Sequence, residues 1–296
     1  MDKSILKNLS IGDIIEFGSY PQDLVTDNAL CSAIDKLSGR PSAILGAWKD
    51  YNYSSGSTIF TDVEYMGKKY RSVYIQKHRM ERFMYEFCDY KDRNIYRFSY
   101  EPIKWQVLSI DNDKALLLSL KALDTQDYAY KKKIRKEKGF SSYINNYKDS
   151  FVRAWLNGAF LDLAFTPEEQ SLIELTTVKN DASTTKKPIN QYACEDTLDK
   201  VFLLSFQEAK TLFADNKARY RKSTEYNKAQ GCFAYRTEDA KYNNVVWMLR
   251  SPDSNYSNIV RGVGDGGGIG SGGFSCSDIN ADYYEAVVPA IIIKIL

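Results

Sequence analysis

One histidine and five scattered cysteines leave this chain little material for nucleophilic or metal chemistry. His78 sits in HRMER and reads as a surface residue, so a Ser-His-Asp or Cys-His arrangement has little to draw on. Cys31, Cys88, Cys194, Cys232 and Cys276 are far apart. An odd, scattered set has neither ligand spacing nor a disulfide framework, and it favours a reducing compartment. Cys232 and Cys276 could react as a pair only if the fold joined them. Asp278-x-Asn280-x-Asp282 opens like a calcium loop, but Tyr283 and Pro289 stand where that loop needs Gly and Glu. Calcium on another loop geometry stays open. Gly262-x-Gly264-x-x-Gly267 matches a dinucleotide fingerprint, yet more glycines follow it instead of a helix. Glu168-Glu169 reads as a helix start rather than an acid–base pair. No cofactor is expected.

The residues that remain suit recognition. Tyrosine is abundant, 22 against 14 Phe and 4 Trp, and Tyr supplies stiff contact area with a polar tip. Sheet surfaces use Tyr as well, so its abundance alone does not separate the two roles. The net charge of +2 provides no global pull toward nucleic acid or an anionic membrane, and no nucleic-acid partner is expected. The exception is YKKKIRKEKGF, with Lys131, Lys132, Lys133, Arg135, Lys136 and Lys138. It could be an anionic-surface patch, but a solvated insertion loop is the simpler reading.

Two apolar, β-like runs, VVWMLRSP and AVVPAIIIKIL, enclose a segment of Gly, Ser, Asn, Asp and Tyr over residues 255–284. A loop this long between two core strands is functional or disordered. The expectation is a displayed face with Tyr256, Tyr283 and Tyr284 as contact aromatics. Arg261, Asp265, Asp278 and Asn280 would select the ligand, and Trp247 and Arg250 flank it. Alternation sets Trp247 and Leu249 on one side, Met248 and Arg250 on the other. Arg250 could bind ligand, but anchoring the carbonyls of the long loop is the favoured role.

These residues need a scaffold, and the chain reads as one. Residues 11–20 alternate as a strand ending at Pro21, and 27–37 suit a short helix. Hairpins are expected at 58–66/69–75 through Gly67 and at 103–110/114–120 through Asp111-Asn112-Asp113. Residues 150–163 have amphipathic helical spacing with Ser150 near the start. Thr166-Pro167-Glu168-Glu169 opens a second helix, and Ser205 with Glu208 forms a capping box for 205–213. Strands are expected at 175–178 and 201–204, polar loops at 180–195 and 220–242. The N-terminus MDKSILKNLSIGDII lacks a secretory core, and no apolar run could span a bilayer. A cytoplasmic protein, or one on a particle assembled there, is expected.

FGSYPQ (17–22), YRFSYEPIKWQVL (96–108), VRAWLN (152–157), AFTPEEQ (164–170), VFLLS (201–205) and WMLRSP (247–252) form an ordered series. It resembles a bacterial domain family of unknown function that carries EPIxWxVL, SxxRxWLN, FLLS, WWLRSPG and GVRPA in this order. Met248, Asp253 and the run Ala286-Val287-Val288-Pro289-Ala290 depart from that series, and the missing GVRPA arginine puts any role resting on it in doubt. The resemblance implies an α+β, C-type-lectin-like fold in its formylglycine-generating-enzyme-like form, with mixed and antiparallel sheets, two or three helices and long loops. One such domain is expected over residues 1–296, with a β-rich extension (about 1–100) packed on a core (about 101–296). The same fold serves the variable proteins of diversity-generating retroelements, where adenine-directed mutagenesis rewrites loop codons, and a protein or carbohydrate ligand is the partner expected here. A non-catalytic binding protein is therefore the leading expectation. An oxidoreductase-like enzyme using Cys232 or Cys276, or a structural subunit of a phage-like particle, are the alternatives.

Overall fold

The strand Asn94–Asp111 is the spine of the molecule. Its first half pairs antiparallel with Lys68–Lys77 and its second half with Lys114–Ser119. Ile14–Leu24 runs antiparallel along the opposite edge. The computed structural model describes residues 9–42, 49–51, 57–77, 89–232, 244–269, 273–275 and 285–295. Among them the spine belongs to an eight-stranded sheet in which seven strands are ordered Val201–Phe202, Ala290–Lys294, Lys114–Ser119, Asn94–Asp111, Lys68–Lys77, Ser57–Tyr65, Lys49–Tyr51, and Ile14–Leu24 is the eighth, off that path. The N-terminal strands thus extend the sheet that the C-terminal strand enters. A five-stranded sheet orders Gly273–Ser275, Ile259–Val263, Trp247–Pro252, Glu285–Val287, Asp124–Gln126. The architecture combines largely antiparallel sheets with few helices and is compatible with an α+β class.

The two sheets share their chain. Lys114–Ser119 continues through Lys121–Ala122 into Asp124–Gln126, while Glu285–Val287 continues through Pro289 into Ala290–Lys294. The two segments pair antiparallel in both sheets. Ser119 N–H donates to Pro289 O (3.0 Å) and Leu123 N–H to Val287 O (3.1 Å) where they cross between sheets.

The local signals explain most elements. The first hairpin turns at Met66-Gly67 and the second at Asn112, all with positive φ. Ser150 caps Phe151–Trp155, and the helix widens to a π turn over Leu156–Phe160 before returning to α at Leu161–Ala164. Asn157, in that turn, donates to Arg153 O (3.1 Å) and Val201 O (2.8 Å) and accepts from Lys200 N–H (2.8 Å). The widened turn places this amide against the Val201 strand, satisfying edge groups that would otherwise be buried unpaired. Capping boxes open both Pro167–Leu172 and Phe206–Thr211. Trp105 is wholly buried, stacks near Phe165 (6.1 Å), and donates to Phe17 O (2.7 Å). Gly18 has φ +68° and lies so close to Ala164 O and the Phe165 ring that a Cβ there would sit 2.6 Å from both.

The residues 220–242, expected as loop, contain a short helix, Glu225–Ala229, capped by Thr224. The basic run folds as an exposed helix, Lys132–Glu137, rather than a loop. Among the described residues no helix is long and apolar enough to cross a membrane.

Candidate functional site

Two antiparallel strands, Trp247–Pro252 and Ile259–Val263, carry the turn that is the centre of the site. The first strand is buried along its whole length. Trp247 has no exposed surface and donates from Nε1 to Arg219 O (3.2 Å). Arg250 is just as deep. It grips Glu208 through Nη1–Oε2 (2.5 Å) and Nη2–Oε1 (2.8 Å), and also donates to Leu203 O (2.7 Å) and Lys179 O (3.0 Å). Ser251 Oγ accepts from Phe206 N–H (2.8 Å) and donates to Thr184 O (3.0 Å). The LRSP segment is therefore tied to the FLLS segment and to the loop at 179–185. Burial works against the Glu208 carboxylate, but the Arg250 guanidinium outweighs it and holds Glu208 below the usual carboxylate range.

Side chains from two other loops hold the turn at 253–258 from outside. Asn145 Nδ2 donates to Tyr256 O (2.9 Å) and Ile259 O (3.1 Å), and Asn145 N–H donates to Ser257 O (3.2 Å). Asn190 Nδ2 donates to Pro252 O (3.2 Å), and Lys187 Nζ to Asn255 Oδ1 (3.0 Å). Within the turn, Asp253 N–H bonds Ile259 O (2.8 Å), Asn255 N–H bonds Asp253 Oδ1 (2.7 Å), and Asp253 pairs with Arg261. With its backbone held this way, the turn leaves the Tyr256 side chain outside, 58% exposed. Tyr143 (40% exposed) stands edge-on to Tyr192 at 4.9 Å, and Ile189 is 87% exposed. Three loops thus converge on one aromatic, lysine-bearing face. Asn145 Oδ1, Ser254 Oγ and Arg261 Nε are buried beneath it with no partner among the described residues, a pattern expected where ordered water completes the bonding.

Residues 264–268 of the glycine-rich text form a folded turn. Gly267 N–H donates to Gly264 O (2.8 Å) and Gly264 N–H to Gly268 O (2.9 Å). Arg219 Nε donates to Gly267 O (2.7 Å), and Asn244 Nδ2 to Asp265 O (3.2 Å). At φ +72°, with Asn216 O only 1.9 Å from where a Cβ would be, position 267 admits glycine alone. Ile259–Val263 pairs antiparallel with the strands on both sides, Trp247–Pro252 and Gly273–Ser275, and this arrangement is not the parallel βαβ unit that a dinucleotide cradle needs.

The residues expected to bind ligand therefore separate. Trp247, Arg250 and Arg261 lie in the interior as supports of the face. Tyr256 is exposed, and half-buried Asp265 accepts from Gly266 N–H (2.8 Å). Asp278, Asn280, Tyr283 and Tyr284 fall outside the described residues, as do His78, Cys88 and Cys276. Burial pushes the Cys232 thiol up to about 12 against hydrogen bonding from Ser223, Thr125 and Asn227, so the thiolate is scarce at neutral pH. Reading the chain did not single out Tyr143, Lys187, Ile189 and Tyr192. The polar text of 180–195 marked a loop, but nothing local places it beside residue 255.

Residues 112–295, well over half of the chain, match a protein family described as Domain of unknown function (DUF6273). The chain belongs to that family. No curated protein and no solved structure matches it. The family's stretch begins in the turn after the spine strand, so it takes in the whole face described above together with the crossing segments beneath it.

Proposed function

We propose that the protein is a non-catalytic binding protein whose ligand, a protein or a carbohydrate, is recognised by the segment 255–284, with Tyr256 and the loops around it as the described part of the surface. One observation carries this reading: the backbone of the 253–258 turn is held by Asn145, Asn190 and Lys187 from other loops, while the Tyr256 side chain is left outside. Mounting a ring on a fixed backbone removes ordering cost from binding, and Tyr adds contact area at low side-chain entropy. The buried, high-pKa Cys232 speaks against thiolate chemistry at that residue. The paired sheets, with Ile259–Val263 and Gly273–Ser275 added beside Trp247–Pro252, support a C-type-lectin-like organisation. The Asn, Ser, Asp, Gly and Tyr content of 255–284 supports a diversified segment of the retroelement kind.

Selection of binders from a glycan array and a displayed-peptide library against the intact protein tests the proposal. Binders should lose about tenfold or more in affinity with Tyr256→Ala or Tyr143→Ala, at most about 1 kcal/mol of stability being lost. Binders indifferent to both variants would refute it. For the diversified segment, closely related chains should differ mainly at adenine-rich codons within 255–284, next to a reverse transcriptase gene.

A further inference from the structure

A cleft of about 250 Å³ opens where the Ile14–Leu24 strand and the spine strand meet the start of the crossing segment. Its charged lining has both signs: carboxylates from Glu16, Asp23 and Glu101, ammonium groups from Lys104 and Lys121. Pro102 and Leu123 provide apolar wall. Gln22 is the fixed point. Only 5% exposed, it spends both amide hydrogens on Glu101 O and Pro102 O, each at 3.0 Å. That bonding fixes the orientation of the amide. The Gln22 carbonyl oxygen then has no donor among the described residues, in a side chain that lines the cleft. That oxygen keeps contact with solvent at the cleft, and a ligand's donor there would take the place of water.

The neighbouring charges are also uncommitted. Asp23 and half-buried Lys121 form no ion pair with a described residue. Glu101 takes only Ser99 Oγ–H (2.6 Å) on one carboxylate oxygen, and Glu16 reaches Lys104 at 3.7 Å across solvent. An open carbonyl and free carboxylates want a donor-rich cation, whereas a free ammonium wants an anion. Both demands occur in a space suited to a molecule of a few heavy atoms. We infer that this cleft is a binding site for a small zwitterion of amino-acid size. The ligand's ammonium meets Gln22 Oε1 and the carboxylates, and its carboxylate meets Lys121.

Thermal unfolding and titration calorimetry on the full chain test this with pools of the twenty free amino acids, with dipeptides, with putrescine and with acetate. At least one amino-acid or dipeptide pool should raise the melting temperature in a concentration-dependent way. Free amino acids acting without dipeptides would identify a metabolite ligand, and the reverse a peptide end. Putrescine and acetate should bind at least about tenfold more weakly than the best zwitterion. Lys121→Met and Asp23→Asn should each weaken binding about tenfold or more, with the unliganded melting temperature nearly unchanged. Absence of a shift in every pool, putrescine binding as well as the zwitterions, or binding unaltered in both variants would overturn the assignment. None of these outcomes bears on the Tyr256 face.

Discussion

Arg250 and Glu208 show how one buried residue can organise a site without touching a ligand. The guanidinium is 2% exposed and satisfied by a carboxylate and two carbonyls, so removing Glu208 leaves a buried cation short of its partner. Such removals typically cost about 3–5 kcal/mol, toward the low end here because Glu208 is 33% exposed. Chemical denaturation of Glu208→Gln should show a loss of about 3 kcal/mol. An unchanged midpoint would mean that the pair is dispensable. Protonation should act in the same direction. Because the folded carboxyl is depressed, the stability it contributes is present above the unfolded value, and is lost as pH falls through the folded one. Glu285 has the opposite sign. Burial raises its carboxyl well above the usual range, so its contribution is full below the unfolded value near about 4.3 and is lost as pH rises. Glu285→Gln should therefore stabilise the protein at pH 8 relative to pH 4, read as a larger gain in urea midpoint at the higher pH. An equal gain at both would show that the carboxyl is solvated.

At the scale of elements, what was legible depended on whether the signal was local. Thr166-x-x-Glu169 and Ser205-x-x-Glu208 close their own capping boxes within one helical turn, and Met66-Gly67 closes its own hairpin, so reading them needs no knowledge of the rest. Alternation likewise marked Trp247–Pro252 as a strand. It did not reveal that both faces of that strand are covered, because the cover comes from Arg219, Leu203 and Lys179, remote in sequence. The π turn was hidden for the same reason: Asn157 takes its place by pairing with Lys200 and Val201. The face itself depends on Asn145, Lys187 and Asn190 reaching another loop, a set of contacts that composition cannot pair. The glycines at 264–268 form a constrained turn whose contacts with Asn216, Arg219 and Asn244 are likewise remote in sequence. Gly267→Ala should accordingly cost about 2 kcal/mol or more, since both the positive φ and the Asn216 backbone forbid a Cβ. A neutral result by thermal denaturation would mean the turn repacks at will.

Over the whole molecule, the crossing pair Lys114–Gln126 and Glu285–Lys294 links the sheet bearing the spine to the sheet bearing the face. Truncation after residue 289 would strip Ala290–Lys294 from between Val201–Phe202 and Lys114–Ser119, and should abolish cooperative unfolding by circular dichroism. A cooperative transition in the truncated chain would show that the two sheets hold together without it. The central claim is that the 253–269 segment is a fixed surface mounted on this frame. Native-state hydrogen exchange of the amides of Asp253, Asn255, Gly264 and Gly267 measures that most directly. Protection close to that of Arg250, in the strand beneath, is the predicted result. Exchange of these amides at the rate of an unstructured chain would contradict it.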